Sequence, residues 1–138
     1  MKKVFVYGTL RKGMYNFDKY YKAHDSFRDF GYVKGTLYTI KGKEYPALIP
    51  GNEIILGEIH HVPDEVQAEV DLMECYFGEG NPENEYDKIL CEIYDAHGKM
   101  IDHLPVYFYN LRKPENRAAL GEVITCNDYV AYVKEGHL

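Results

Sequence analysis

Apolar and polar positions along the chain fall into two periods. From Lys3 to Tyr7, β-branched and aromatic residues predict a strand, which Gly8 ends and the Gly13 loop follows. Val33 to Ile40 is a second strand, between Gly31 and the Lys41-Gly42-Lys43 turn. Tyr45 to Ile49 is a short third, stopped by Pro50-Gly51, and Ile54 to Val62 a fourth. Tyr86–Tyr94 and Met100–Asn110 are the last two, joined by a hairpin at Ala96-His97-Gly98-Lys99.

The 3.6-residue period is clearest from Asp64 to about Phe77, where Val66, Val70, Met73 and Phe77 share one face. Pro63-Asp64 opens this helix, and Asp64 and Glu65 suit its positive end. A shorter helix from Phe17 to about His24 is expected behind an Asn16 cap. Another is expected from Asn127 or Asp128 to about Lys134. Gly78–Glu85 is a loop, and the tail from Arg112 is irregular. The sum is an α+β chain with a mixed, mostly antiparallel sheet curled into a small barrel, one main helix and short flanking helices. A single domain over 1–138 is the expectation at this length.

Composition changes the picture mainly by exclusion. A net charge of -6 without a basic cluster speaks against nucleic acid. No apolar run approaches a membrane span, and the stretch after Met1-Lys2-Lys3 is too short for a signal peptide. Cys75, Cys91 and Cys126 are an odd number without metal spacing, as free thiols in a reducing cytoplasm would be. The 14 tyrosines, with no tryptophan, suit strand and core packing.

Candidate chemistry is sparse. His60 and His61 are strand neighbours, so they face opposite ways and cannot share a metal. The acidic stretch Glu79–Glu85 lacks the alternation of a calcium loop and reads as solvated. Cys75 is an isolated thiol at a helix C-terminus, where thiolate is disfavoured. Two features are left. Tyr7-Gly8-Thr9-Leu10-Arg11 leaves a strand through a glycine, so its N–H groups can converge on an anion, although an ordinary turn has the same signature. Glu74 lies about 40° from Val70 on the helical wheel and Glu69 on the opposite edge, so periodicity does not choose between them. Glu74 stands nearer the negative end of the helix dipole, which raises a carboxyl pKa and suits a general base; a solvated acid is the alternative.

Taken in order, Tyr7-Gly8-Thr9-Leu10, Tyr45-Pro46-Ala47-Leu48, Ile55-Leu56-Gly57-Glu58, Val70-Asp71-Leu72-Met73-Glu74-Cys75-Tyr76, Tyr86-Asp87-Lys88 and Val106-Tyr107-Phe108-Tyr109 resemble the gamma-glutamylcyclotransferase-like family. The family's Gly after the key Glu is Cys75 here, its Arg is Lys88, and its C-terminal Ser-Gly-Asp-Trp is echoed only in Cys126-Asn127-Asp128-Tyr129. The resemblance implies cleavage of a small γ-glutamyl amide by its own α-amine, with Glu74 as acid/base and no metal or cofactor. It implies a substrate site made by Tyr7, Gly8, Thr9 and Leu10, with Tyr107 adding a hydrogen bond from the sheet. A non-catalytic small-molecule binding module on the same fold is the alternative.

Overall fold

The structure, a computed structural model, describes residues 1–136. The expected 1–138 unit thus includes His137 and Leu138, which lie outside the described residues. Six strands form one sheet: β1 (Lys2–Val6), β2 (Phe27–Ile40), β3 (Pro46–Val62), β4 (Tyr86–Tyr94), β5 (Met100–Tyr109) and β6 (Leu120–Val123). The order is β1-β3-β2-β4-β5, with β6 on β2, and every ladder is antiparallel.

The sheet curls without closing. β2 meets β4 only at Tyr32–Tyr94, and no ladder joins β1 to β5 among the described residues. Side chains bridge that gap instead: Lys3 Nζ donates to Asp102 Oδ2 at 2.9 Å, and Tyr7 OH donates to the Tyr107 carbonyl at 2.5 Å. Curling buries both faces of β1, so strand alternation serves two cores. Val4 and Val6 join Val66 and Val70 of the main helix, whereas Phe5 and Tyr7 join Leu37, Leu48 and Ile55.

The helices are α1 (Asp64–Met73), α2 (Pro114–Ala119) and α3 (Tyr129–Lys134). α1 stops about four residues short of the expected Phe77. Glu74 caps it, and Cys75 takes a left-handed φ of 53°. Tyr76 N–H reaches the Asp71 carbonyl at 2.8 Å and Cys75 N–H the Leu72 carbonyl at 3.0 Å. Those bonds are the glycine-type stop that satisfies the last carbonyls of a helix, with a cysteine in the glycine's place. Phe77 therefore leaves the helical face and is 51% exposed.

Other differences have local causes. β2 begins at Phe27, not Val33, because pairing to β3 carries it through the exposed Arg28 and Asp29, whose polarity hides a strand. The two strands expected on either side of Pro50-Gly51 are one, β3; residues 50–52 are extra, since Gly35 pairs Glu53 while Thr36 pairs Ile49. A Cβ on Gly51 would stand 2.0 Å from Thr36 Oγ1, so the bulge needs a glycine there. The tail expected to be irregular forms α2 and β6. Asn16 caps nothing: Phe17–Tyr21 is a π-turn running into a 3₁₀ turn at Lys22–His24, and the Asn16 amide is used elsewhere. The Asp128 cap of α3 is as expected, its side chain accepting from Ala131 N–H.

Candidate active site

Where β1 ends, the chain turns at Gly8 and runs beneath the C-terminus of α1. The Gly8 carbonyl accepts from Arg11 N–H at 3.0 Å, and the Thr9 carbonyl from Phe17 N–H at 3.0 Å. The carbonyls are thus committed to the scaffold. The N–H groups of Gly8, Thr9 and Leu10 have no acceptor among the described residues. Unpaired amides are rare in a folded chain, and these three line one cavity. A Cβ on Gly8 would lie 2.9 Å from both Cγ and Cδ of Pro46, so the Tyr45-Pro46 segment closes on the loop as its opposite wall. Thr9 Oγ1 accepts from Asn16 Nδ2 at 2.9 Å, which fixes its hydroxyl.

Glu74 completes the cavity, whose volume is about 30 Å³ and whose lining also includes Tyr45, Tyr86 and Tyr107. A second space of about 60 Å³ shares Thr9, Tyr45 and Glu74 with it and adds Asn16, Met73 and Glu85. Glu74 stands where the two meet. Glu69, level with it on the helical wheel, is exposed, whereas Glu74 is half-buried. No side-chain or backbone donor reaches the Glu74 carboxyl among the described residues. Burial pushes its pKa up to about 8, with the negative charges of Glu85 and Asp71 adding to the effect. At pH 7 such a carboxyl is mostly protonated.

The tyrosines around it are fixed and neutral. Burial, and then the charge of Glu74, keep the Tyr7 phenol well above its ordinary pKa, and burial does the same for Tyr86. Tyr7 OH is spent on the Tyr107 carbonyl, and Tyr86 OH donates to the Pro46 carbonyl at 2.6 Å. Tyr107 is held on both sides. Its ring lines the cavity, but its hydroxyl donates to Asp71 Oδ1 and accepts from Gln67 Nε2 at 2.9 Å. Lys88 Nζ holds both Asp71 oxygens at 3.0 Å, and Tyr21 OH donates to Gln67 Oε1 at 3.0 Å. The Tyr107 hydroxyl is a strut between β5 and α1.

The structure thus brings together every residue expected at the site: Tyr7, Gly8, Thr9, Leu10, Glu74 and Tyr107. Sequence reasoning missed Glu85, Asn16, Asp71 and Gln67. Glu85 was placed in a solvated loop, whereas Tyr45 OH donates to its Oε2 at 3.1 Å beside the cavity. Gln67, Asp71 and Glu74 stand four and three residues apart, a helical-face spacing that could have linked them. Among the described residues no group of three or more His, Cys, Asp or Glu side chains is arranged to hold a metal ion. His60, fully buried, is occupied by Ser26 and Glu58. Among the described residues no helix is long and apolar enough to cross a membrane.

A curled antiparallel sheet, a loop of unpaired amides after its first strand and one neutral acid at the end of its main helix define a class of small α+β proteins. The family model described as gamma-glutamyl cyclotransferase, AIG2-like, matches residues 4–131, and the chain belongs to that family. It is 35% identical over 107 residues, 78% of this chain and 67% of the other, to the gamma-L-glutamyl-butirosin B gamma-glutamyl cyclotransferase of Niallia circulans. Among solved structures, an uncharacterised Pyrococcus horikoshii protein shares the fold with a TM-score of 0.68 at 20% identity, covering 99% of this chain and 97% of that one. A mouse AIG2-like protein does so with a TM-score of 0.66 at 22% identity, covering 88% and 85%.

Proposed function

We propose that this chain is a cyclotransferase that cleaves a γ-glutamyl amide to 5-oxoproline and a free amine, with Glu74 as its acid/base. One observation carries the reading: a neutral-leaning carboxyl without a protein donor shares a small cavity with three unpaired amides. Membership of the family and the likeness to a named gamma-glutamyl cyclotransferase support it.

The substrate carries its own nucleophile, so positioning supplies much of the acceleration. Ionised Glu74 takes a proton from the substrate's α-ammonium. The freed amine attacks the γ-carbonyl carbon and forms the ring C–N bond. As the tetrahedral intermediate collapses, the C–N bond to the leaving amine breaks, Glu74 returns the proton to that nitrogen, and the second proton of the ring nitrogen passes to the released amine, which departs as an ammonium. A group that must first accept and then donate works best with a pKa near the working pH. The Gly8, Thr9 and Leu10 amides hold the substrate's carboxylate or the developing oxyanion. Tyr107 and Tyr86 serve as walls.

The test is a panel of γ-glutamyl amides with different leaving amines, scored for 5-oxoproline. Wild type should turn over at least one. Glu74→Gln should lose about 10²–10⁴ of the rate, and Glu69→Gln should change little. Ligand binding without 5-oxoproline from any of them would replace the enzyme with a binding module. A Glu74→Gln variant as fast as wild type would remove Glu74 from the chemistry.

A further inference from the structure

The loop that carries the unpaired amides is gripped from behind by a buried ionic network that the proposed chemistry does not use. Arg11 is 4% exposed. Its Nε donates to Glu58 Oε2 at 3.0 Å, and a terminal nitrogen donates to Asp128 Oδ1 at 2.8 Å. Lys12, the next residue, donates its backbone N–H to the other Glu58 oxygen at 2.9 Å. That oxygen also accepts from His60 Nε2 at 2.9 Å, while His60 Nδ1 meets Ser26 Oγ at 2.8 Å. Burial alone would raise the Glu58 pKa, but His60, the Lys12 amide and Arg11 together hold it below its ordinary value. The same Asp128 oxygen caps α3, and the neighbouring Asn127 carbonyl accepts from Leu56 N–H at 2.9 Å.

Three segments remote in sequence therefore meet at one guanidinium: the cradle loop, β3 and the start of α3. A Ser-His-Glu row in this network could suggest a nucleophile, but Ser26, His60 and Glu58 are no more than 2% exposed. A net gain in stability is also a poor account of it, since buried ion pairs add little over apolar residues of the same shape. What an arginine between two carboxylates does supply is a fixed position, because its fork presents donors in a rigid plane. That position reaches the site directly: Arg11 N–H closes the turn onto the Gly8 carbonyl, with Thr9 and Leu10 inside it.

We propose that Arg11, held between Glu58 and Asp128, is a positioning residue that sets where the Gly8, Thr9 and Leu10 amides stand. The inference rests on reading those amides as the substrate cradle. It gives the Asp128 echo of the family's C-terminal motif a task at the far end of the chain from the loop it steadies.

Asp128→Asn is the sharp test, because an Asn side chain still caps α3 and still offers Arg11 an oxygen, but without the charge. It should leave the unfolding midpoint near that of wild type and lower kcat/KM by about 10- to 10²-fold. Arg11→Lys, which reaches one carboxylate at a time, should lower it further. Amide hydrogen exchange without substrate should quicken in the peptide spanning 7–13 and stay unchanged across 86–94. Wild-type kcat/KM and loop exchange in Asp128→Asn would overturn the proposal, as would exchange that rises equally everywhere. A wild type inert on every γ-glutamyl amide would remove the cyclotransferase reading instead, and the exchange comparison would then decide the positioning inference alone.

Discussion

Replacing Glu74 by Gln should make the protein more stable while it slows turnover by about 10²–10⁴, and the gain should depend on pH in a calculable way. A carboxyl raised from 4.5 to about 8 binds its proton more tightly folded than unfolded. The sign follows from linkage: stability falls as pH rises wherever the folded state holds more protons than the unfolded one. The stabilising contribution is therefore complete below about pH 4.5, declines through the interval, and is gone above about pH 8. A rise from 4.5 to about 8 corresponds to about 5 kcal/mol at full development, of which about 1 kcal/mol is already lost at pH 5. Gln is nearly isosteric and does not titrate, so it escapes the loss. Urea unfolding of both proteins at pH 5 and pH 9 gives the comparison. The advantage of Glu74→Gln over wild type should grow by about 2–4 kcal/mol between the two, allowing for partial solvation of a half-buried residue. Parallel pH–stability curves would refute the argument, because they would mean that Glu74 ionises as freely in the folded protein as in the unfolded chain.

Three further outcomes follow from the same neighbourhood. The low-pH limb of kcat/KM should have an apparent pKa near 8 in wild type, since only ionised Glu74 accepts the substrate's proton, and Glu85→Gln should move it down by on the order of one pH unit, read from pH–rate profiles. Tyr107→Phe removes a strut, not a substrate contact: unfolding should show a loss of about 1–2 kcal/mol, and kcat should fall less than about tenfold, whereas a loss above about 10²-fold would restore a direct role in catalysis. Cys75→Gly should raise stability by about 0.5–1 kcal/mol in thermal unfolding, by relieving a left-handed residue at the helix stop; a lower melting temperature would show that the thiol's packing outweighs the strain.

The strands that were legible in the sequence are those whose own residues alternate or are β-rich, such as β4 and β5. The parts that were not legible owe their form to a partner. The first six residues of β2 are extended because β3 pairs with them, and β6 exists because β2 offers it an edge at Tyr38 and Ile40. The end of α1 depended on whether residue 75 could take a left-handed φ, and a cysteine does not advertise that. The site was legible as an ordered set of motifs and hardly at all as chemistry. Position on the wheel left Glu69 and Glu74 level; burial separates them, and Glu74 lines its cavities together with Tyr45, Pro46 and Asn16 from other elements.

The early end of α1 has a consequence of its own. Had the helix continued to Phe77, Glu74 would sit inside it with its backbone N–H and carbonyl both in the helical ladder. As the cap residue it stands at the negative end of the dipole, over a loop whose three free amides form a positive end. Proton acceptor and anion cradle then share one cavity of about 30 Å³, with burial first, and Glu85 and Asp71 after it, keeping the acid neutral until a cationic amine arrives. An α-ammonium brought to Glu74 would favour the ionised carboxylate, so binding itself would ready the base. It follows that the low-pH limb of kcat should lie below that of kcat/KM. Coincident limbs would mean that substrate binding leaves the Glu74 pKa unmoved and that its ammonium sits elsewhere.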